Sequence, residues 1–236
     1  MLVWINGSFG GGKTQTAHEL QRRLPGSVIC DPEHVGFGLH RMTPRHLRRD
    51  FQDLPAWRQG VYEVLDLTLT GGAGPVIVPM TIIEPAYFAE TIGRLRGSGH
   101  EVAHFALLAE RATVLRRLRE RGFGHALQLV AGRDAPVRRE SFAASKLDLC
   151  LERLREAPFA EHVWTDHLRI DQVADRIAAS AGLTLGPNTD SVIRGRMRQA
   201  WTGPAHIRFD CRQMVPEGRR CRRAQTPLAS NPLAVR

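Results

Sequence analysis

Residues 7–14 read Gly7-Ser8-Phe9-Gly10-Gly11-Gly12-Lys13-Thr14, a complete match to GxxxxGK[ST] between an apolar run and a helix-like pattern. These are residue types for holding a polyphosphate. Glycines bring the backbone close to phosphate oxygens and accept positive φ, while successive N–H groups at a helix start point at the anion. Lys13 is placed to reach β and γ phosphates, the Thr14 hydroxyl to ligate Mg²⁺, and Gln15 extends the set by one position. The bland alternative is a flexible glycine turn. Against it stands economy: only two lysines occur among the 33 Lys and Arg residues of the chain, and one is Lys13.

A phosphate loop does not say where the γ-phosphate goes, so other groups must. Asp31 follows an apolar run in "VICDPE". At the carboxyl end of a buried strand, a carboxylate faces the ligand crevice, where it can orient an acceptor hydroxyl and take its proton. Its other use is to start a turn before Pro32. Further on, "VLRRLRER" sets Arg117 and Arg121 four residues apart on one helix face, and "GRDAPVRRES" adds Arg133, Arg138 and Arg139. Arginines that close over a transferring phosphoryl group stabilise charge on its oxygens, although most surface arginines do nothing of the kind. Of these, Arg117, Arg121 and Arg133 are the candidates. Where a Walker B acid is usual, "VIVPMT" offers Pro79, Met80 and Thr81. That weakens the case for an ATPase motor or GTPase and is tolerable in a small-molecule kinase, where Mg²⁺ can be held through Thr14, phosphates, water and a nearby Asp such as Asp31.

The elements that must position these residues alternate. Short apolar runs at 2–6, 27–30, 75–80, 101–108 and 162–165 read as strands. Between them, helical patterns span Thr14 to Leu24, Pro55 to Thr70, Pro85 to Gly97, Glu110 to Arg121, Val137 to Arg155 and Asp171 to Ala181. Continuous rather than alternating apolar strands, separated by helices, make an α/β fold with a parallel sheet covered on both faces. Residues 1–186 form this domain, and the stretch 121–136, "RGFGHALQLVAGRDAP", reads as a mobile lid.

Beyond it, residues 187–203 hold an amphipathic basic helix with Ile193, Met197, Ala200 and Trp201 on one stripe. Residues 204–236, rich in Arg and Pro, read as a disordered tail. The net charge of +9 is concentrated there: residues 187–236 carry 10 basic and 3 acidic residues. Such a segment suits an anionic membrane, with nucleic acid the alternative and a solvated extension the bland reading. Cys30, Cys150, Cys211 and Cys221 make no CxxC pair, and the ten histidines make no HExxH, so neither a disulfide framework nor a zinc site is indicated. Isolated histidines such as His104 read as satisfied core or surface groups. No run reaches the ~18 apolar residues of a membrane span, so a soluble cytoplasmic protein is expected, with peripheral contact at the inner membrane face.

Taken together, "WINGSFGGGKTQTAHEL", "DPEHVGFGL", "VPMTIIEPAYFAETIGRLR" and "TDHLRIDQVADRIA" resemble the bacterial tunicamycin resistance proteins, within the nucleotide-kinase-like P-loop proteins, over roughly residues 1–200. The resemblance implies a three-layer, nucleoside/nucleotide-kinase-like P-loop NTPase fold with a five-stranded parallel sheet in the order 2-3-1-4-5. It also implies ATP with Mg²⁺, and resistance to a uridine-containing antibiotic. It makes Gly7 to Thr14 the ATP loop, Asp31 the acceptor-side carboxylate and Arg117 a lid residue near the nucleotide. Phe37, Arg41 and Trp57 then line the acceptor pocket, aromatic faces suiting a uracil or sugar ring, with core packing the other use of Phe37 and Trp57. Membrane contact through a C-terminal amphipathic helix is implied as well. The reaction expected is transfer of the ATP γ-phosphate to a hydroxyl of tunicamycin or a related nucleoside. The alternatives are an ATP-dependent protein that sequesters the drug without chemistry, and a general nucleoside or nucleotide kinase.

Overall fold

All six residues of the first strand, β1 (Leu2–Gly7), are buried, as an apolar run without polar alternation requires. The computed structural model describes residues 1–72, 74–121 and 147–188. In it β1 is the middle of a five-stranded parallel sheet in the order β2-β3-β1-β4-β5. The other strands are β2 (Val28–Ile29), β3 (Val76–Pro79), β4 (Val102–Leu108) and β5 (His162–Trp164). Leu2 lies opposite Val76 on one side and Val102 on the other, and each strand start matches the expected run to within about one residue.

Both faces of β1 are covered, by different helices. Leu2 and Trp4 join one core with Val61, Leu65, Ile92 and Leu95, supplied by α3 (Pro55–Thr70) and by α4, whose stretches Pro85–Phe88, Ala89–Gly93 and Arg94–Gly97 run on from one another. Val3 and Ile5 join the opposite core with Ala17, Leu20, Val173 and Ile177, from α1 (Lys13–Arg23) and α7 (Ile170–Ser180). The result is the expected three-layer arrangement. A small third cluster joins Val114 of α5 (Arg111–Arg121) to Leu147 and Leu151 of α6 (residues 147–153). Cys30 and Cys150 are free, and burial pushes the Cys150 thiol up to about 11.

One helix was not foreseen. α2 (Glu33–Met42) contains Gly36 and Gly38, each of which lowers helix propensity by about 1 kcal/mol. Gly36 is there for packing: a Cβ on it would lie 2.5 Å from the Phe51 ring. α4 has a π-type middle, Ala89–Gly93, that its period did not reveal. The expected helix Val137 to Arg155 is seen only from residue 147, its first part lying outside the described residues.

Because every strand pairing is parallel, the carboxyl ends of all five strands open on one edge of the sheet. Gly7, Asp31, Thr81 and Thr165 therefore share that edge.

Candidate functional site

The loop after β1 turns on left-handed glycines, Gly10 at φ 79° and Gly12 at φ 98°. Gly11 N donates to Ser8 O at 2.9 Å, and a Cβ on Gly11 would press on that same oxygen at 2.9 Å. The outer side of the loop rests on two helices, since a Cβ on Gly10 would come within 3.0 Å of Leu118 and one on Gly12 within 3.3 Å of Ile170. These contacts explain why glycines alone serve here.

Inside the loop, donors accumulate. Gly12 supplies no side-chain cap to α1, leaving first-turn N–H groups for an incoming acceptor. Lys13 Nζ donates to Gly7 O at 3.0 Å and Ser8 O at 3.1 Å, and lies 5.8 Å from the centroid of the Phe9 ring. The buried Ser8 Oγ has no hydrogen-bond partner among the described residues. Such a curl, with a lysine resting on neutral carbonyls and a hydroxyl unsatisfied, fits a polyphosphate. Thr14 and Gln15 are half-buried in the first turn of α1.

A support the sequence reading missed lies beneath the loop. Fully buried Asn6 accepts from Gly7 N at 2.8 Å and Ile82 N at 3.0 Å, and donates to Ile82 O at 2.7 Å. Its amide nitrogen also lies 3.3 Å from His104 Nε2. His104 Nδ1 lies 3.1 Å from Ala160 O, which can only accept, so Nδ1 carries the proton and Nε2 accepts from Asn6. Burial lowers the His104 pKa to about 4, consistent with that neutral form. His104 is thus a satisfied core histidine, as expected. The signal for Asn6 was its position, a polar residue ending an apolar strand just before Gly7.

In place of a Walker B acid, Thr81 Oγ1 donates to Gly7 O at 2.7 Å. Gln52 Nε2 in turn donates to Thr81 O at 3.0 Å. Among the described residues no group of three or more His, Cys, Asp or Glu side chains is arranged to hold a metal ion.

On the acceptor side, half-buried Asp31 accepts from Glu33 N at 2.9 Å, so one oxygen starts α2 in the turn-forming use foreseen for it. Trp57 is 0% exposed and its indole donates to Pro32 O at 3.0 Å. It therefore packs beneath the Asp31–Pro32 turn and offers no face to a ligand. Phe37 is half-buried, edge-on to Phe51 with centroids 6.4 Å apart, and Arg41 is exposed in the last turn of α2.

Across the crevice, Arg117 donates to Thr165 Oγ1 at 2.9 Å and Thr165 O at 2.6 Å, which fixes it at the end of β5. The Arg121 side chain, residues 122–146, which include Arg133 and nearly all of the expected lid 121–136, and residues 189–236 lie outside the described residues.

A phosphate loop at the end of the central strand of a parallel sheet in this order defines a kinase-like P-loop protein, and residues 2–144 match the family described as an AAA domain. The chain belongs to that family and also to the tunicamycin resistance proteins: it is 35% identical to the tunicamycin resistance protein of Deinococcus radiodurans, with a TM-score of 0.63 over 79% of this chain and 98% of that one. Two more distant structures share the fold. A sugar kinase from Janibacter sp. is 17% identical with a TM-score of 0.52, covering 78% of this chain and 95% of that one. Shikimate kinase from Bacteroides thetaiotaomicron is 17% identical with a TM-score of 0.50, covering 78% and 99%. No curated protein sequence matches the chain. Among the described residues, no helix is long and apolar enough to cross a membrane.

Proposed function

We propose that this protein is an ATP-dependent kinase acting on a hydroxyl of a tunicamycin-like nucleoside. The observation that carries the reading is the single sheet edge that brings together the donor-lined loop with Lys13, the carboxylate Asp31, and a threonine where an ATPase would keep an acid. The 35% identical relative, a tunicamycin resistance protein, supports the drug as acceptor.

In this reading the N–H groups of residues 7–14 and the Lys13 ammonium hold the β and γ phosphates of the substrate ATP. Mg²⁺, held through Thr14 and phosphate oxygens, would supply charge neutralisation on those oxygens. The acceptor oxygen forms a bond to γ-phosphorus as the bond to the bridging oxygen breaks, ADP leaves, and the hydroxyl proton passes to the Asp31 carboxylate. Arg117, Arg121 and Arg133 contribute positive charge from the lid side, and Phe37 and Arg41 border the acceptor. The segment 121–136 is the lid in this reading. Residues 187–203, with the basic tail 204–236, make peripheral contact with an anionic membrane.

One observation favours a second reading, in which the drug is bound and sequestered without transfer: an oxygen of Asp31 is already engaged by Glu33 N. Incubation with γ-³²P-ATP and tunicamycin separates the two. Labelled drug is the expected product; ATP-linked drug binding without any label on the drug would refute the kinase.

A further inference from the structure

Past the last backbone rung between β1 and β3, where Met80 N donates to Ile5 O at 3.1 Å, a side chain takes over the pairing. The Thr81 hydroxyl donates to Gly7 O at 2.7 Å, and Lys13 Nζ donates to the same oxygen at 3.0 Å. A carbonyl oxygen has two lone pairs, so both donors are accommodated. The two are not equivalent. Lys13 must leave the carbonyl to meet phosphates, whereas Thr81 has no other duty in the loop.

The other end of Thr81 is fixed from the acceptor side. Gln52, in the turn Phe51–Asp53, donates through its amide to Thr81 O at 3.0 Å. The Gln52 carbonyl is itself held by Arg58 Nη1 at 2.6 Å, and buried Arg58 is anchored by Glu90 at 2.6 Å. A chain of direct hydrogen bonds thus runs from α4 through the acceptor-side turn to the phosphate loop.

We propose that Thr81 is a positioning residue for Lys13: its hydroxyl keeps the Gly7 carbonyl paired while the ammonium moves onto nucleotide phosphates, and Gln52 holds it in register. The proposal rests on the nucleotide-binding reading above. Without the hydroxyl, every departure of Lys13 strands the Gly7 carbonyl, and an unpaired buried acceptor is expensive. Binding of any ligand that recruits the ammonium then weakens by about tenfold.

The test is calorimetric titration of ATP into the full chain. Thr81→Val, close in shape but lacking the hydroxyl, is expected to raise the ATP Kd about tenfold, and Thr81→Ser to return it to within about twofold of wild type. Thr81→Ala provides the same deletion without the extra methyl should the valine variant not fold, with circular dichroism confirming the fold. Equal ATP affinity of the valine or alanine variant and wild type overturns the proposal, as does a serine variant as weak as the deletion. Failure of the wild-type chain to bind ATP would instead refute the nucleotide reading itself, and the Thr81 role with it.

Discussion

Two glycines of α2, two residues apart, make a paired test of why this helix carries them. Gly38 has nothing within 4 Å of where a Cβ would stand, and it is exposed. Gly38→Ala is therefore expected to stabilise the protein by about 0.4–1 kcal/mol, through helix propensity and a less free unfolded chain. At Gly36 the same methyl would lie 2.5 Å from Phe51 Cγ and 2.7 Å from both Cδ atoms, well inside contact distance. Phe51 cannot simply step aside. Its ring is packed between His40 and Trp57, each with centroids 5.5 Å away, and Phe37 at 6.4 Å. Overpacking of this kind costs about 1–3 kcal/mol, which outweighs the propensity gain. Thermal unfolding should show Gly38→Ala rising and Gly36→Ala falling by ~2–4 °C per kcal/mol, the scale for a chain of this size. A Gly36→Ala variant as stabilised as Gly38→Ala would refute the claim that Phe51 is held against the helix. Glycine at position 36 would then have no packing cause.

His104 supplies a pH test. Its folded pKa, about 4, lies below the unfolded value of 6.5, so the unfolded chain binds the extra proton first. Its contribution is present above pH 6.5 and is lost as pH falls toward 4. In denaturant titrations, His104→Phe should be less stable than wild type at pH 7, and the gap should shrink by about 2 kcal/mol at pH 5. A gap that does not change with pH would mean that His104 is not held neutral by burial. For the proposed chemistry, Asp31→Asn keeps an oxygen that can accept from Glu33 N but cannot take a proton at neutral pH. Phosphoryl transfer should fall about 10²–10⁴-fold while ATP affinity stays within about twofold, and unchanged turnover would remove Asp31 as the base.

The strands and the phosphate loop were legible because each rests on local information. Buried parallel strands read as unbroken apolar runs, and a phosphate loop declares itself by spacing. α2 was not legible, since Gly36 and Gly38 speak against a helix and the ring that accounts for Gly36 sits fifteen residues later in sequence. Trp57 could not be assigned between pocket and core from its type alone. What decided it was the Pro32 carbonyl 3.0 Å from the indole nitrogen, a partner 25 positions away. Asn6 was missed, and Thr81 was seen only as a residue standing where an acid is usual, for a related reason. A single polar residue at a strand end has no periodicity, and the partners that give it a role, Ile82 and His104 for Asn6 and Gly7 and Gln52 for Thr81, lie far away in sequence.

Those two residues share one task. Gly7 is held through both of its flanking peptides, its N–H by Asn6 and its carbonyl by Thr81, before any phosphate reaches the loop. Asn6 is braced by neutral His104 and Thr81 by Gln52, so the bracing comes from β4 on one side and the acceptor turn on the other. A loop built largely of glycine is costly to order, and support from two sides lets it be ordered before ligand arrives. The absent Walker B acid fits this arrangement. A carboxylate at position 81 could accept a hydrogen bond but not donate one to the Gly7 carbonyl, so a threonine there does work at this carbonyl that an acid could not.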